Sequence, residues 1–196
     1  MNNKDPSLFS VPLMVDYLPS QTENIRSSLG ISKDQLVFGY HGNNFDIPWV
    51  RQEVENIAKN SNDFVFIFMH TNHFHTSSPK PENIKYIDGT WDMQKKSNFI
   101  HSCDAMIDGC TMGQTFGMSI AEFALCNKPI ITWKNPPVKA HIDYIGNKAL
   151  LYEDSVELNN IITNFRNISK HSLYEDCYES CLPHKAIKRF ESVCLL

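Results

Sequence analysis

The run DFVFIFMH at positions 63 to 70 carries six apolar residues in a row, with no polar alternation. A strand wet on one face alternates apolar with polar residues. A short unbroken apolar run suits a strand covered on both faces, as in a parallel sheet flanked by helices. Similar short runs recur at QLVFGY (35 to 40), IKYI (84 to 87), AMID (105 to 108), PIITW (129 to 133) and ALLY (149 to 152). Helical patterns separate several of them. Asp46 is a suitable N-cap and Pro48 suits a first turn, after which Ile47, Val50, Val54, Ile57 and Ala58 share one helical face. DMQKKSNFIHSC (92 to 103) and the stretch near 117 to 127 read as further helices. In SVELNNIITNF (155 to 165), Val156, Leu158, Ile161, Ile162 and Phe165 have helical spacing. The tail from about 172 is expected to be helical with a break near Pro183.

Alternating β and α units with right-handed crossovers predict an α/β, Rossmann-like, three-layer fold: a parallel sheet with helices on both faces. Residues 1 to 30 read as a linker-like lead-in, including a short helical piece closed by Gly30, and 31 to 196 as the domain with its helical tail. Ligands of such sheets bind beyond the carboxyl ends of the strands, at the switch in strand order. The loops in question are 40 to 46, 70 to 76, 88 to 91, 109 to 117 and 134 to 146.

Composition narrows the function. The 196 residues carry a formal net charge of −4 with a pI near 6.0, which excludes a basic nucleic-acid footprint. No apolar run reaches the ~18 residues of a membrane span, and the N-terminus lacks the apolar core of a signal peptide, so the expected location is cytoplasmic. The six cysteines then read as buried thiols. Cys177 and Cys181, with His171 and His184 nearby, raise a zinc reading, but the spacing is not a paired C-x-x-C form. His70, His73 and His75 could gather on a metal or remain solvated loop residues, and no metal is expected. Asp104 and Asp108 flank a strand and suit turn capping better than acid–base work. There is neither a G-x-G-x-x-G fingerprint nor a P-loop.

GCTMGQTFGMSIAEFALCNKPIIT, positions 109 to 132, carries the strongest signal. A helix opening after Gly117 would present free N–H groups and a partial positive charge to a phosphate. Thr115 could add a hydroxyl, and Glu122 could accept bonds from two ribose hydroxyls. Ser119 to Glu122 also matches a capping box, which needs no ligand. In the loop GYHGNNFD, Gly39 and Gly42 allow close backbone approach, or simply turn the chain.

On these residues the chain resembles the donor-binding half of retaining GT-B glycosyltransferases. The run GQTFGMSIAE resembles their GE-x-FG-x-S-x-x-E segment, with Gln114 at the first glutamate and Glu122 at the second. VFGYHG, NFIHSCDAMIDG and HIDYIGNKALLY resemble the flanking segments, so the likeness runs from about residue 11 to the C-terminus. It implies a single C-terminal-type GT-B half that binds a nucleotide-diphosphate sugar for retaining hexosyl transfer, with no cofactor and no bound metal. Glu122 would grip the ribose. Thr115, Phe116 and Gly117 would offer N–H groups to the diphosphate, and Gln114 would meet a sugar hydroxyl. Gly89 and Thr90 would lie near the base, with Gly42 beside the ligand. The chain has room for one of the family's two domains, so the acceptor domain would come from a separate chain or through self-association, or the sequence is a fragment of a two-domain enzyme. Where the family usually has an arginine, this chain has Tyr40, and where it often has a second basic residue, Cys110. Lys134 and Lys139 are candidates to supply the lost charge. The alternative is a non-catalytic nucleotide- or sugar-binding, or partner-docking, remnant of the same fold.

Overall fold

A computed structural model describes residues 11–168 and 174–194. Its six strands are β1 (Leu36–His41), β2 (Phe64–Met69), β3 (Ile84–Ile87), β4 (Ala105–Ile107), β5 (Ile130–Trp133) and β6 (Leu150–Tyr152). They form one sheet in the order β3-β2-β1-β4-β5-β6, every pairing parallel. The helices are α1 (Pro48–Asn60), α2 (Met93–Ser102), α3 (Met118–Leu125), α4 (Ala140–Ile145), α5 (Ser155–Thr163), α6 (Phe165–Ile168) and α7 (Pro183–Cys194). From β1 the chain builds outward to β2 and β3. It then returns through α2 to β4 on the other side of β1 and continues to β5 and β6. The switch in strand order therefore lies between β1 and β4.

Right-handed crossovers running in opposite directions place helices on opposite faces. On one face, Trp49 of α1 meets Tyr152 edge-on at 5.7 Å, and Asn159 of α5 donates to Glu53 of α1. On the other, Phe99 of α2 and Phe123 of α3 cross at 5.9 Å. Strand β1 serves both layers by alternation. Phe38 packs on Phe165, and Tyr40 on Phe45. Gly39 faces α2, where a Cβ would come within 2.4 Å of Cys103 Sγ, 3.1 Å of Phe99 and 3.2 Å of Phe123. The expected Rossmann-like fold and its six strands are observed.

Several local expectations are corrected. Asp46 does not cap α1. The N-cap is Ile47, which has no side-chain cap, and Asp46 instead accepts from the Thr111 amide at 2.7 Å, joining the loops that follow the central strands β1 and β4. Residues 25–30 form turns, not a helix, although Gly30 has the left-handed φ of +68° that suits a closing glycine. Val156 is exposed because the buried stripe of this segment is Leu158, Ile162 and Phe165, spaced by four and three residues, and Val156 falls off it. The tail holds a 3-10 segment, Glu175–Cys181, before α7.

The lead-in lies along α2. Asn98 Oδ1 accepts from the amides of Thr22 and Glu23, and Ser102 Oγ from that of Ile25. Arg26 donates to the Ser102 and Gln35 carbonyls and pairs with Asp104 at 2.7 Å. Asp104 also accepts from the Val37 amide at 2.7 Å, pinning the start of β1 beside β4.

The tightest of these fits is at Gly39. Gly39→Ala is expected to destabilise the fold by about 1–3 kcal/mol through overpacking. Adding Cys103→Ala should restore part of the loss, read as melting temperature for the single and double variants.

Candidate functional site

The loop after β4 is held from both sides. Gly109 O accepts from the amides of Asp46 and Ile47, and Gly113 bridges to Val138. The chain enters α3 through Gly117, which has φ +76° and is the N-cap. That left-handed conformation suits glycine. It leaves the helix start without a side-chain cap. The first helical bond is Ala121 N–H to Gly117 O at 2.8 Å, and the amides of 115–120 find no acceptor among the described residues. Ser119 is the second residue of α3 and Glu122 the fifth, so they form no capping box.

Glu122 is tied to side chains from two other elements. Lys96 Nζ of α2 donates to Oε1 at 2.7 Å. His41 Nε2, at the end of β1, lies 2.8 Å from Oε2. This is ion-pair distance, but the two atoms are out of line for a hydrogen bond, so both are buried without a hydrogen-bond partner. Burial would raise the Glu122 pKa. The close contact and charge of His41, with the hydrogen bond and charge of Lys96, outweigh it and hold the carboxyl below its usual range.

Two open cavities meet above this cluster. One of about 240 Å³ is lined by His41, Gly42, Met69, His70, Gly89, Thr90, Trp91 and Lys96. The other, about 370 Å³, is lined by Tyr40, His41, Gly42, Asn43, Asn44, Gln114, Met118 and Ser119. Sharing His41 and Gly42, they make one cleft across the carboxyl ends of β1, β2 and β3 to the start of α3. Gly89 lets the wall close up: a Cβ there would sit 2.6 Å from His70 Nδ1.

Of the residues singled out from sequence, Gly42, Gly89, Thr90 and Gln114 line this cleft, and Glu122 lies behind His41 and Lys96. Thr115, Phe116 and Gly117 line neither cavity. Thr115 is exposed, and the Phe116 ring packs against Tyr144 and Tyr178. Tyr40 is buried, its phenol pushed up by burial and by the nearby Asp108, and Cys110 is buried with its thiol near Gly113 O. Lys134 pairs with Glu153, and neither it nor Lys139 lines the cleft. The basic side chains that meet Glu122 are His41 and Lys96, neither singled out in the sequence, nor was Trp91, which is 96% exposed at the rim. The His73 and His75 rings gather on Tyr86, at 4.0 and 5.8 Å. Among the described residues no group of three or more His, Cys, Asp or Glu is placed to hold a metal ion. His171 lies outside the described residues. Nor is any helix among the described residues long and apolar enough to cross a membrane.

No family model matches the sequence, and neither does any curated protein. Solved structures share its fold. HepE from Anabaena, in complex with UDP-glucose, aligns with a TM-score of 0.62 at 18% identity, over 87% of this chain and 50% of its own. TarM aligns at 0.59 with 13% identity, over 94% of this chain and 37% of its own. Sucrose-phosphate synthase from Thermosynechococcus elongatus aligns at 0.57 with 11% identity, over 94% and 49%. These are GT-B glycosyltransferases, and this chain has the fold of one half of that architecture. It spans about half the length of HepE and of the synthase, and just over a third of TarM.

Behind the cleft, Asp108 accepts from Thr132 Oγ1 at 2.9 Å, while its Oδ1 is buried without a partner. Burial pushes its pKa up to about 7. From about pH 4 to 7 the folded chain thus holds a proton that the unfolded chain has lost, and stability falls as pH rises through that window. Asp108→Asn should remove this slope, so that its melting temperature gains on the wild type from pH 4 to pH 7.

Proposed function

We propose that this chain is a glycosyltransferase-like domain that binds a nucleotide-diphosphate sugar. The observation that carries the reading is the uncapped start of α3, opening on a cleft at the switch point with a buried carboxylate behind it. A diphosphate suits the free amides at the beginning of α3 and the 370 Å³ cavity before them. Glu122 lies behind His41 and Lys96, and the ribose hydroxyls would reach it with one of those side chains drawn aside. The base fits the 240 Å³ cavity beside Gly89, Thr90 and Trp91, and the sugar lies towards Gln114.

The chemistry we assign is hexosyl transfer with retention, needing no resident metal and supported at the leaving group by amides and cations. The acceptor face would come from a second domain, whether in the same chain, in another chain or through self-association. Six unpaired cysteines favour a reducing, cytoplasmic setting.

A second reading is a non-catalytic nucleotide- or sugar-binding module. Lys96 on Glu122, together with Tyr40 and Cys110 where the family carries positive charge, favours it.

UDP, GDP or ADP sugars at ~100 times Kd should raise the melting temperature by about 5–10 °C, the shift expected for ~2.7 kcal/mol of binding in a chain this size. Glu122→Gln should cut that shift. No shift with any of the three removes the reading. Release of nucleoside diphosphate from the bound sugar nucleotide by the isolated chain would separate an active domain from the binding module.

A further inference from the structure

We propose that His41 is the cationic contact for the diphosphate, held in place by Glu122. This rests on the nucleotide-binding reading above.

His41 is the last residue of β1 and is common to both cavities, so it stands where the ribose end of the cleft meets the phosphate end. Its ring is fixed on three sides. It stacks on Phe123 at 6.0 Å and 22°, it lies edge-on to Phe99 at 6.4 Å, and its Nε2 sits 2.8 Å from Glu122 Oε2. The other ring nitrogen, Nδ1, is neither hydrogen-bonded nor among the buried unpartnered atoms, so it is open to the cleft.

A carboxylate on one nitrogen and an open second nitrogen make a directed donor. An imidazolium donates from both nitrogens, one to Glu122 and one to a ligand oxygen. The poor alignment of the His41–Glu122 contact is the kind that ligand-free sites show and that tightens on binding.

Charge counting supports the role. The charged and titratable groups facing His41 are Glu122 from α3, Lys96 from α2 and His70 from the end of β2. Lys96 and Glu122 cancel, so a protonated His41 leaves a single positive charge at the floor of the cleft. The groups standing at the family's usual positions cannot supply it: Tyr40 is a buried phenol and Cys110 a buried thiol. A phosphate brought against Nδ1 would stabilise that charge in turn. Glu122 acts here as a positioning residue, held between His41 and Lys96 behind the cleft.

The test uses UDP, GDP and ADP with the nucleosides uridine, guanosine and adenosine as phosphate-free controls. Binding is measured on the full chain as wild type, His41→Gln and His41→Arg. His41→Gln should weaken the bound diphosphate about 10- to 100-fold, the range for a charge-assisted hydrogen bond. The matching nucleoside should change less than about twofold, and His41→Arg should restore most of the diphosphate affinity, as a retained cation would. In the wild type, the His41 ring nitrogen signals in NMR should move with the diphosphate and stay in place with the nucleoside, a readout that needs no variant to fold. Equal losses for diphosphate and nucleoside, or unmoved ring signals with bound diphosphate, overturn the role of His41 and leave the nucleotide site standing. Absence of diphosphate binding by the wild type overturns both.

Discussion

The buried carboxylate of Glu122 is the constraint on which the cleft depends. An ion taken out of water costs several kcal/mol unless it is paired, so a glutamate only 5% exposed must find partners or give up its charge. It finds them on two other elements: Lys96 on α2 and His41 at the end of β1. The pairing therefore fixes the lateral position of α2 over the sheet and the orientation of the last β1 side chain. His41 walls both cavities and Lys96 the smaller one, so the two partners of this one carboxylate help to shape the cleft.

Strand alternation explains why the side chain that meets Glu122 stands at 41 and not at 40. Tyr40 turns to the face of Phe45, and His41 to the face of Phe99 and Phe123, the layer that contains Glu122. A cation at 40 would face a layer of aromatic rings. There Tyr40 is instead a buried ring. A shift of one residue along the strand thus moves the charge from one side of the sheet to the other and brings it against Glu122.

Much of this was legible in the sequence because the relevant signals are local. Unbroken apolar runs such as FVFIFM mark strands covered on both faces, and the loops that follow them contain Gly42, Gly89, Thr90 and Gln114. What escaped depends on distant partners. In the sequence Lys96 is one of two adjacent lysines with nothing to single it out; it becomes a site residue only because α2 brings it to a glutamate 26 positions away. His41 stood just past the expected end of its strand, where one further residue changes the face. Asp46 had the composition of a cap, but the amide of Thr111, 65 residues on, claims its oxygen. The loop before α3 was marked by its glycines, whereas the burial of Phe116 against Tyr144 and Tyr178 follows from how the tail returns across the fold.

The starts of the helices carry the last step. Asp92 caps α2 through the amides of Gln94 and Lys95, Asp154 caps α5 through that of Glu157, and α1 opens on a proline that has no N–H to satisfy. The start of α3 has none of these devices. Gly117 at its N-cap supplies no side-chain acceptor, which costs a few tenths of a kcal/mol relative to Ser or Asp. A Cβ there would crowd Ile120 and His141 at 3.1–3.3 Å, and the left-handed φ turns the chain into the helix without one. Glu122 cannot serve as the missing acceptor, because its oxygens are already directed at Lys96 and His41 one turn deeper. The donors at the start of α3 are therefore left to water or to an anion from outside the chain. The nearest mobile negative charge the cleft can admit would meet those amides on one side and His41 on the other.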